Sequence, residues 1–482
     1  MRTEKDLIGE MQVPENALYG IHAARARENF PDCTPFSIHW YRAMGEVKLA
    51  CYDAYASFCT AVRKEFPDKE ESLRLMAPEK VKHLQDAARE VADGLHFSDF
   101  IVPAVQGGAG TSINMNINEI IANVALIKAG GIPGDYQLID PLESANVFQS
   151  TNDTVPTALA VAVIRLLNTL EAEINTTRSK FEELETRYRR SLRLAYTQMQ
   201  EAVPATWGQL FSSYSDALSR DWWRVSKGFE RIKAVNLGGG ATGSGVSIPR
   251  YFIMEVVPAL KRLTALPLTQ AENLTEATSN LDKWVEVHAI LKAHAVNLEK
   301  AASDLRLLSA GILQQPELRI APRQAGSSIM PGKINPVISE FVISSAHHVY
   351  TNDTLLTALA GQGCLELNAY LPSVGHAILN SLDLLIAMNR TFSSHLLNGL
   401  EINEELSAQR LWSSPAITTA LSPFIGYHKA GELAERMKAF GEDIFEANRS
   451  IQLIDHDILE RITSPDNLLK KGFSLRDSEE AH

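Results

Sequence analysis

What the chain lacks narrows its nature first. Its 482 residues include only four cysteines, at positions 33, 51, 59 and 364, and no CxxC pair. Thiols scattered in this way point to a reducing compartment rather than to a disulfide framework or a zinc knuckle. No uninterrupted apolar run reaches the roughly 18 residues of a membrane span. The opening MRTEKDLIGEM is charged where a secretory signal would be apolar. Cations are in deficit: 46 Lys and Arg against 58 Asp and Glu leave a formal net charge of −12. That excludes nucleic acid and anionic membranes as partners, since both need a basic face. It does not exclude a small anionic ligand, which a few local cations and a helix N terminus can hold. The expected location is the cytoplasm.

Strand-like alternation is scarce as well, and helical patterning dominates. Leu281, Trp284, His288, Leu291, Ala295, Leu298, Ala302, Leu305 and Ser309 follow each other at alternating spacings of three and four. Such a near-heptad seam faces other helices. A second long helix is expected over about 154–188, and its segment ALAVAVI (158–164) is apolar on every side, hence buried all round. Further helices are expected over 206–235, 336–360 and 372–397. The predicted fold class is all-α in three parts: a mixed, mainly helical segment of short helices and loops (1–145), a central long-helix bundle (146–400), and a small helical domain (401–482) that includes a helix at 427–440. The last nine residues, SLRDSEEAH, are polar and expected to fray.

Four polar, small-residue stretches interrupt this pattern. In QGGAGTSINMNINE (106–119), glycines precede Thr111 or Ser112 as caps of a helix with the stripe Ile113, Ile117, Ile120 and Val124. Its N–H groups make a cradle for a carboxylate, or simply a capped helix start. QSTND (149–153) sets consecutive hydrogen-bonding side chains before the buried helix, more than one cap requires. In YTQMQEAVP (196–204), Thr197 and Gln198 are read as ending one helical segment, with Pro204 interrupting the next. The fourth, QAGSSIMPGKINPVISE (324–340), lies at the end of a stretch (313–335) with neither helix nor strand period. Connections that long inside a folded chain are functional or disordered. Ile329, Met330, Ile334 and Val337 are expected to anchor this one to the core.

Its residues suit base chemistry. Neutral serine is a poor base, so Ser327 or Ser328 would need N–H groups and a cation to stabilise the alkoxide. Lys333 supplies such a charge, Asn335 donates and accepts beside it, and Glu340 is placed to orient a neighbour. A capped surface loop is the plainer alternative. Other signals mislead. GGGATG (238–243) fits GxGxxG but follows no strand, so it is not a dinucleotide turn. Asp455-His456-Asp457 reads as a solvated helix start, His288 as a satisfied core histidine, and no metal site is supported.

Taken together, these stretches resemble the aspartase/fumarase superfamily. GSSIMPGKINPVISE resembles its signature, and QGGAGTSINMNINE, QSTND and the Thr-Gln of TQMQEAVP follow in the family's order. The resemblance extends to ALYGIHAARARENF near the start and SPFIGYHKAGELAERM near the end. It implies a homotetramer whose long helices form one core and whose active sites draw on different subunits. It also implies cofactor-free anti-elimination of ammonia from L-aspartate, giving fumarate. Carried over, Ser327 is the base. Lys333, Asn335 and loop N–H groups hold the aci-carboxylate. Thr111, Ser150, Thr151, Asn152, Thr197 and Gln198 bind the substrate, with Ser112, Asn114, Ser328, Met330 and Glu340 in support. Gln198 stands where fumarases carry histidine, which favours the aspartase branch over malate chemistry. Ala195 and Tyr196 replace the family's usual Gly-Arg, Ser247 and Ser422 stand at usual asparagine positions, and IDPLESANV (139–147) lacks the fumarase His-Pro. A modified aspartate or another amino diacid therefore stays open as substrate, and so does a non-catalytic scaffold, although a scaffold has no use for Ser327, Lys333 and Asn335 together.

Overall fold

The order of elements begins with a hairpin, β1 (Arg2–Lys5) and β2 (Glu10–Val13), followed by α1 (Ile21–Asn29), α2 (Ile38–Glu65), α3 (Pro78–Ala92) and α4 (Thr111–Lys128). The 37-residue helix α5 (Thr151–Arg187) leads to a second hairpin, β3 (Leu192–Thr197) and β4 (Gln200–Thr206), and then to α6 (Trp207–Ser226). Helices α7 (Arg250–Thr264), α8 (Leu274–Ser279), α9 (Asp282–Leu308), α10 (Val337–Ala360) and α11 (Leu371–Thr391) follow, and shorter helices complete the chain. This is the all-α class expected. The computed structural model describes every residue except Leu313, Gln314, Lys471 and 474–482. The expectation of a frayed SLRDSEEAH tail, and the first two residues of the predicted 313–335 stretch, therefore fall outside the described residues.

Two units partition the chain, one made of 1–171, 224–293 and 347–385, the other of 172–223, 294–346 and 386–482. The chain passes from one to the other inside α5, α6, α9, α10 and α11.

In the first unit the ALAVAVI segment is at most 2% exposed, as an all-round apolar helix requires. Trp40 donates its indole N–H to the Val155 carbonyl (3.1 Å), and its ring lies under Gly375 of α11. His288 is the satisfied core histidine expected, meeting Asp353 Oδ1 at 3.0 Å and Ser381 Oγ at 2.8 Å. The N-terminal segment departs from its expected short helices: α2 runs for 28 residues. Its buried residues lie round most of its circumference, so it carries no single apolar stripe to read. Gly45 lets α2 approach α3 closely, because a Cβ there would sit 2.3 Å from the Ala92 backbone nitrogen. Glycine to alanine in a helix interior normally stabilises by about 1 kcal/mol. At this position Gly45→Ala is expected instead to destabilise by about 3 kcal/mol, because backbone cannot step aside as a side chain can. Thermal melting checks it, and an unchanged melting temperature would mean that the helices have room.

In the second unit, the segment expected as two helical pieces around Thr197 is the antiparallel hairpin β3–β4. Leu192 pairs with Thr206 and Thr197 with Gln200, with an irregularity between Leu194 and Tyr196. The turn residues Gln198 and Met199 both have positive φ (54° and 63°), the pattern of a tight hairpin turn. Glycine or asparagine would normally announce it, and neither is present, so the sequence carries no turn signal. Leu192 and Leu194 enter a core with Leu411, Phe424, Leu433, Ile444 and Leu459 of the C-terminal helices. The helix expected over 206–235 ends earlier, at Ser226. Asp455 caps the helix that begins at His456, as read from the sequence.

Two stretches, Thr151–Arg187 and Leu371–Leu397, are long and apolar enough to cross a membrane, yet 72% and 67% of their apolar windows are buried within the chain. Burial of that kind marks core helices.

Candidate active site

In the first unit the N-terminal edges of α4 and α5 carry the candidate binding residues. Ahead of α4, Gly108, Ala109 and Gly110 all have positive φ (83°, 58° and 92°). The N-cap is Gly110 itself and no side chain caps the helix, so the expectation that Thr111 or Ser112 caps it is corrected. Both fall inside the helix, Thr111 exposed and Ser112 half-buried. Thr111 N–H donates to the Gly108 carbonyl (2.9 Å) and Asn114 N–H to the Gly110 carbonyl (3.0 Å), so it is the Ser112 and Ile113 N–H groups of the first turn that carry no side-chain cap. The predicted stripe of Ile113, Ile117, Ile120 and Val124 is buried.

At α5, Ser150 N–H donates to Asp153 Oδ1 (3.0 Å), while Ser150 Oγ accepts the Asn152 N–H (3.2 Å). Ser150, Thr151 and Asn152 are half-buried, and Asp153 is fully buried. The GGGATG turn holds this edge rather than a nucleotide. Gly240 N–H donates to Asp153 Oδ2 (2.9 Å), and Asn152 Nδ2 donates to the Ala241 carbonyl (2.7 Å). Asn236 Nδ2 in turn donates to the Asn152 carbonyl (2.9 Å). Burial pushes the Asp153 carboxyl up to about 6 against the N–H bonds from Gly240 and Ser150. Ser247, where the family usually has asparagine, sits at φ 66°, a left-handed position that asparagine tolerates better.

Behind these edges lies Lys48, which the sequence reading missed. It is fully buried, and Nζ donates to Asn114 Oδ1 (2.6 Å) and Asn146 Oδ1 (3.3 Å). The only signal was a lysine inside the apolar run EVKLACYDAY.

The second unit carries the rest. Thr197 and Gln198 are exposed at the tip of the β3–β4 hairpin, and Tyr196 is 44% exposed beside them. The long loop before α10 is pinned at its base. Glu317 accepts from Arg410 (2.9 Å) and Ser407 (2.8 Å), Leu318–Arg319 pairs with Glu401–Ile402, and Arg323 donates to the carbonyls of His395 and Asn398. Its tip closes on itself: Gly326 N–H donates to the Lys333 carbonyl (2.8 Å), and Asn335 Nδ2 donates to the Gly326 carbonyl (2.6 Å). A Cβ on Gly326 would stand 2.6 Å from that Lys333 oxygen, which explains glycine there.

Inside the tip, Ser327 Oγ accepts two backbone N–H groups, from Met330 (2.9 Å) and Ile329 (3.2 Å). Ser328 and Lys333 are exposed. Ile329, Met330 and Ile334, expected to anchor the loop, are 84%, 47% and 49% exposed instead. Asn335 spends its amide on the loop rather than facing outward with both groups free. Glu340 meets Arg306 at 3.4 Å. A cavity of about 1100 Å³ joins the hairpin tip to the loop's far end, lined among others by Met199, Arg306, Asn335 and Glu340. The candidate residues thus form two groups, 111–154 in one unit and 197–340 in the other. Among the described residues no group of three or more His, Cys, Asp and Glu could hold a metal ion.

Comparison with known proteins agrees in direction. The profile of a family described as lyase matches residues 9–351. An aspartate ammonia-lyase of a Bacillus species is 34% identical over 479 residues, covering 99% of each chain. That of Pseudomonas aeruginosa is 35% identical over 470 residues, covering 97% of each. A fumarate lyase/delta crystallin from Brucella melitensis, solved bound to cobalt, superposes with a TM-score of 0.88 at 34% identity, covering 97% of this chain and 98% of its own.

Proposed function

The chain belongs to the lyase family, and from that premise we propose that it is a carbon–nitrogen lyase that removes ammonia from L-aspartate to leave fumarate. Full-length similarity to aspartate ammonia-lyases supports the reaction class. The observation that carries the chemistry is the pair of N–H groups aimed at Ser327 Oγ. An oxygen already accepting two hydrogen bonds is stabilised further when it becomes an alkoxide, which is what a serine base requires.

Ser327 takes the proton from Cβ. The C–H electrons move into the adjacent carboxylate, which becomes a doubly charged aci-carboxylate. Loop N–H groups, Lys333 and the second Nδ2 hydrogen of Asn335, beside the one given to Gly326, hold this intermediate. The electrons then return to form the Cα–Cβ double bond as the Cα–N bond breaks, and ammonia leaves with its electron pair. Thr111, Ser150, Thr151 and Asn152 bind the substrate's carboxylates and amino group from the α4 and α5 edges, with Ser112 and Asn114 in support. Thr197 and Gln198 approach from a hairpin tip, and Glu340 fixes Arg306. A glutamine at 198 offers no titrating relay for water, which favours ammonia over water as leaving group.

The two groups of residues are proposed to meet between copies of the chain, in a homotetramer. Exposed Ile329, Met330 and Ile334 support this, since apolar residues left uncovered in one chain suit a partner's surface. The four free cysteines support a cytoplasmic setting. No cofactor takes part in the proposed steps. The test follows fumarate by ultraviolet absorbance with L-aspartate and, separately, L-malate. Fumarate from aspartate alone is the expected result. Fumarate from malate alone would transfer the chain to hydratase chemistry, and silence on both would turn attention to other amino diacids through the altered Tyr196 and Ser247.

A further inference from the structure

The first unit buries a cation with no ion pair of its own among the described residues. Lys48 is 0% exposed, and its ammonium reaches carboxamide oxygens rather than a carboxylate. Burying an unpaired ammonium carries a heavy desolvation penalty.

Its neighbours do not need it for their own satisfaction. Asn146 Oδ1 also accepts from Asn114 Nδ2 (3.0 Å) and Asn118 Nδ2 (3.2 Å). Asn114 Oδ1 is also within reach of the Thr154 hydroxyl (3.3 Å). That hydroxyl otherwise goes to the Ser150 carbonyl, which already accepts the Thr154 N–H (3.1 Å). The role of the ammonium is then set by its position. Asn114 lies one turn into α4, behind Thr111 and Ser112. Asn146 donates through Nδ2 to the Gln149 carbonyl (3.1 Å), the residue before Ser150, and Thr154 touches Ser150 directly. One ammonium therefore backs the N-terminal turns of both α4 and α5, where the helix dipoles already favour anions.

We propose that Lys48 is a positioning residue for the anionic substrate, its buried charge reinforcing through Asn114 and Asn146 the two helix N termini where the substrate carboxylates bind, without touching the substrate. The inference rests on the ammonia-lyase reading above. The titrating neighbours that act on Lys48 are Cys51 on its own helix and Asp153 on α5. Burial draws the ammonium down to about 7, and both neighbours oppose that shift. An anion bound at the helix ends acts in the same sense as they do and holds the proton on.

Two neutral variants separate charge from hydrogen bonding. Lys48→Met keeps the aliphatic length, while Lys48→Gln keeps a polar donor. Steady-state kinetics with L-aspartate, calorimetric binding of succinate as an unreactive dicarboxylate, and thermal melting are read on each. Both variants are expected to raise KM and the succinate Kd by about tenfold, with kcat changed by less than about threefold and melting temperature unchanged or raised. Full recovery of KM in Lys48→Gln would overturn the charge argument in favour of hydrogen bonding. So would lowered melting with KM and succinate binding unchanged, the mark of a structural lysine. If Lys48→Met does not fold, Lys48→Gln alone decides by the same criterion. A wild-type protein that neither forms fumarate nor binds succinate would sink the ammonia-lyase reading and this inference with it. An active wild type with unaffected variants would sink the inference alone.

Discussion

Ser327→Ala is expected to lower kcat on L-aspartate by about a thousand-fold, with KM within about threefold of wild type. The size follows from what is removed. Only the Oγ atom is lost, and its two N–H partners, from Ile329 and Met330, sit on a loop tip where water can replace it. The variant therefore should fold and bind as before while losing the group that accepts the Cβ proton. The same geometry ranks its neighbours. Ser328 is exposed and makes no comparable cradle, so Ser328→Ala should cost much less than Ser327→Ala. Lys333→Met should fall between them, because it removes charge stabilisation of the aci-carboxylate but leaves the base. Turnover of Ser327→Ala within tenfold of wild type would show that another group takes the proton.

Much of this arrangement was legible one residue at a time, and the exceptions share a physical cause. The α9 seam from Trp284 to Leu305 announced itself because a helix facing other helices must repeat its apolar residues every three to four positions. ALAVAVI announced burial because no face of it is polar. The loop carrying Ser327 announced itself by having no period at all. The hairpin at Thr197 did not, because its turn puts Gln198 and Met199 at positive φ without the glycine or asparagine that usually takes that position. Its strands are held in place by Leu192 and Leu194 packing on helices more than 200 residues later, a tertiary effect that overrides local preference. Asp153 and the GGGATG turn are likewise joined by a contact that spans 87 residues. Lys48 stayed hidden for a related reason: a lone lysine in a helix has its meaning only in what packs around it. The exposure of Ile329, Met330 and Ile334 is a different case. They were expected to anchor the loop to the core, and within this chain they are exposed instead; the proposed tetramer supplies their cover.

That missing cover leads to the second large effect, expected from mixing two inactive variants. Thr151→Val removes a hydroxyl at the α5 edge, and Ser327→Ala removes the base. If each site takes its α5 edge from one copy and its loop from another, co-refolded 1:1 mixtures contain sites with both groups intact. The copy supplying the edge must be the Ser327→Ala chain, and the copy supplying the loop must be the Thr151→Val chain. Random assembly meets both conditions in about one site in four, so about a quarter of wild-type activity should return from two preparations that are each nearly silent. The long helices offer the surfaces such assembly needs. Val296 and Leu307 on α9 are each 50% exposed, and Phe341 and Leu355 on α10 are 41% and 45% exposed. Apolar residues spaced along helices in this way are costly in water and suit a second copy. Sites contained within one chain predict no recovery at any mixing ratio, because every chain then carries its own defect. Sedimentation of the mixture distinguishes that outcome from failed assembly: mixed tetramers without activity would reject shared sites, whereas monomers would reject the tetramer and the shared sites together.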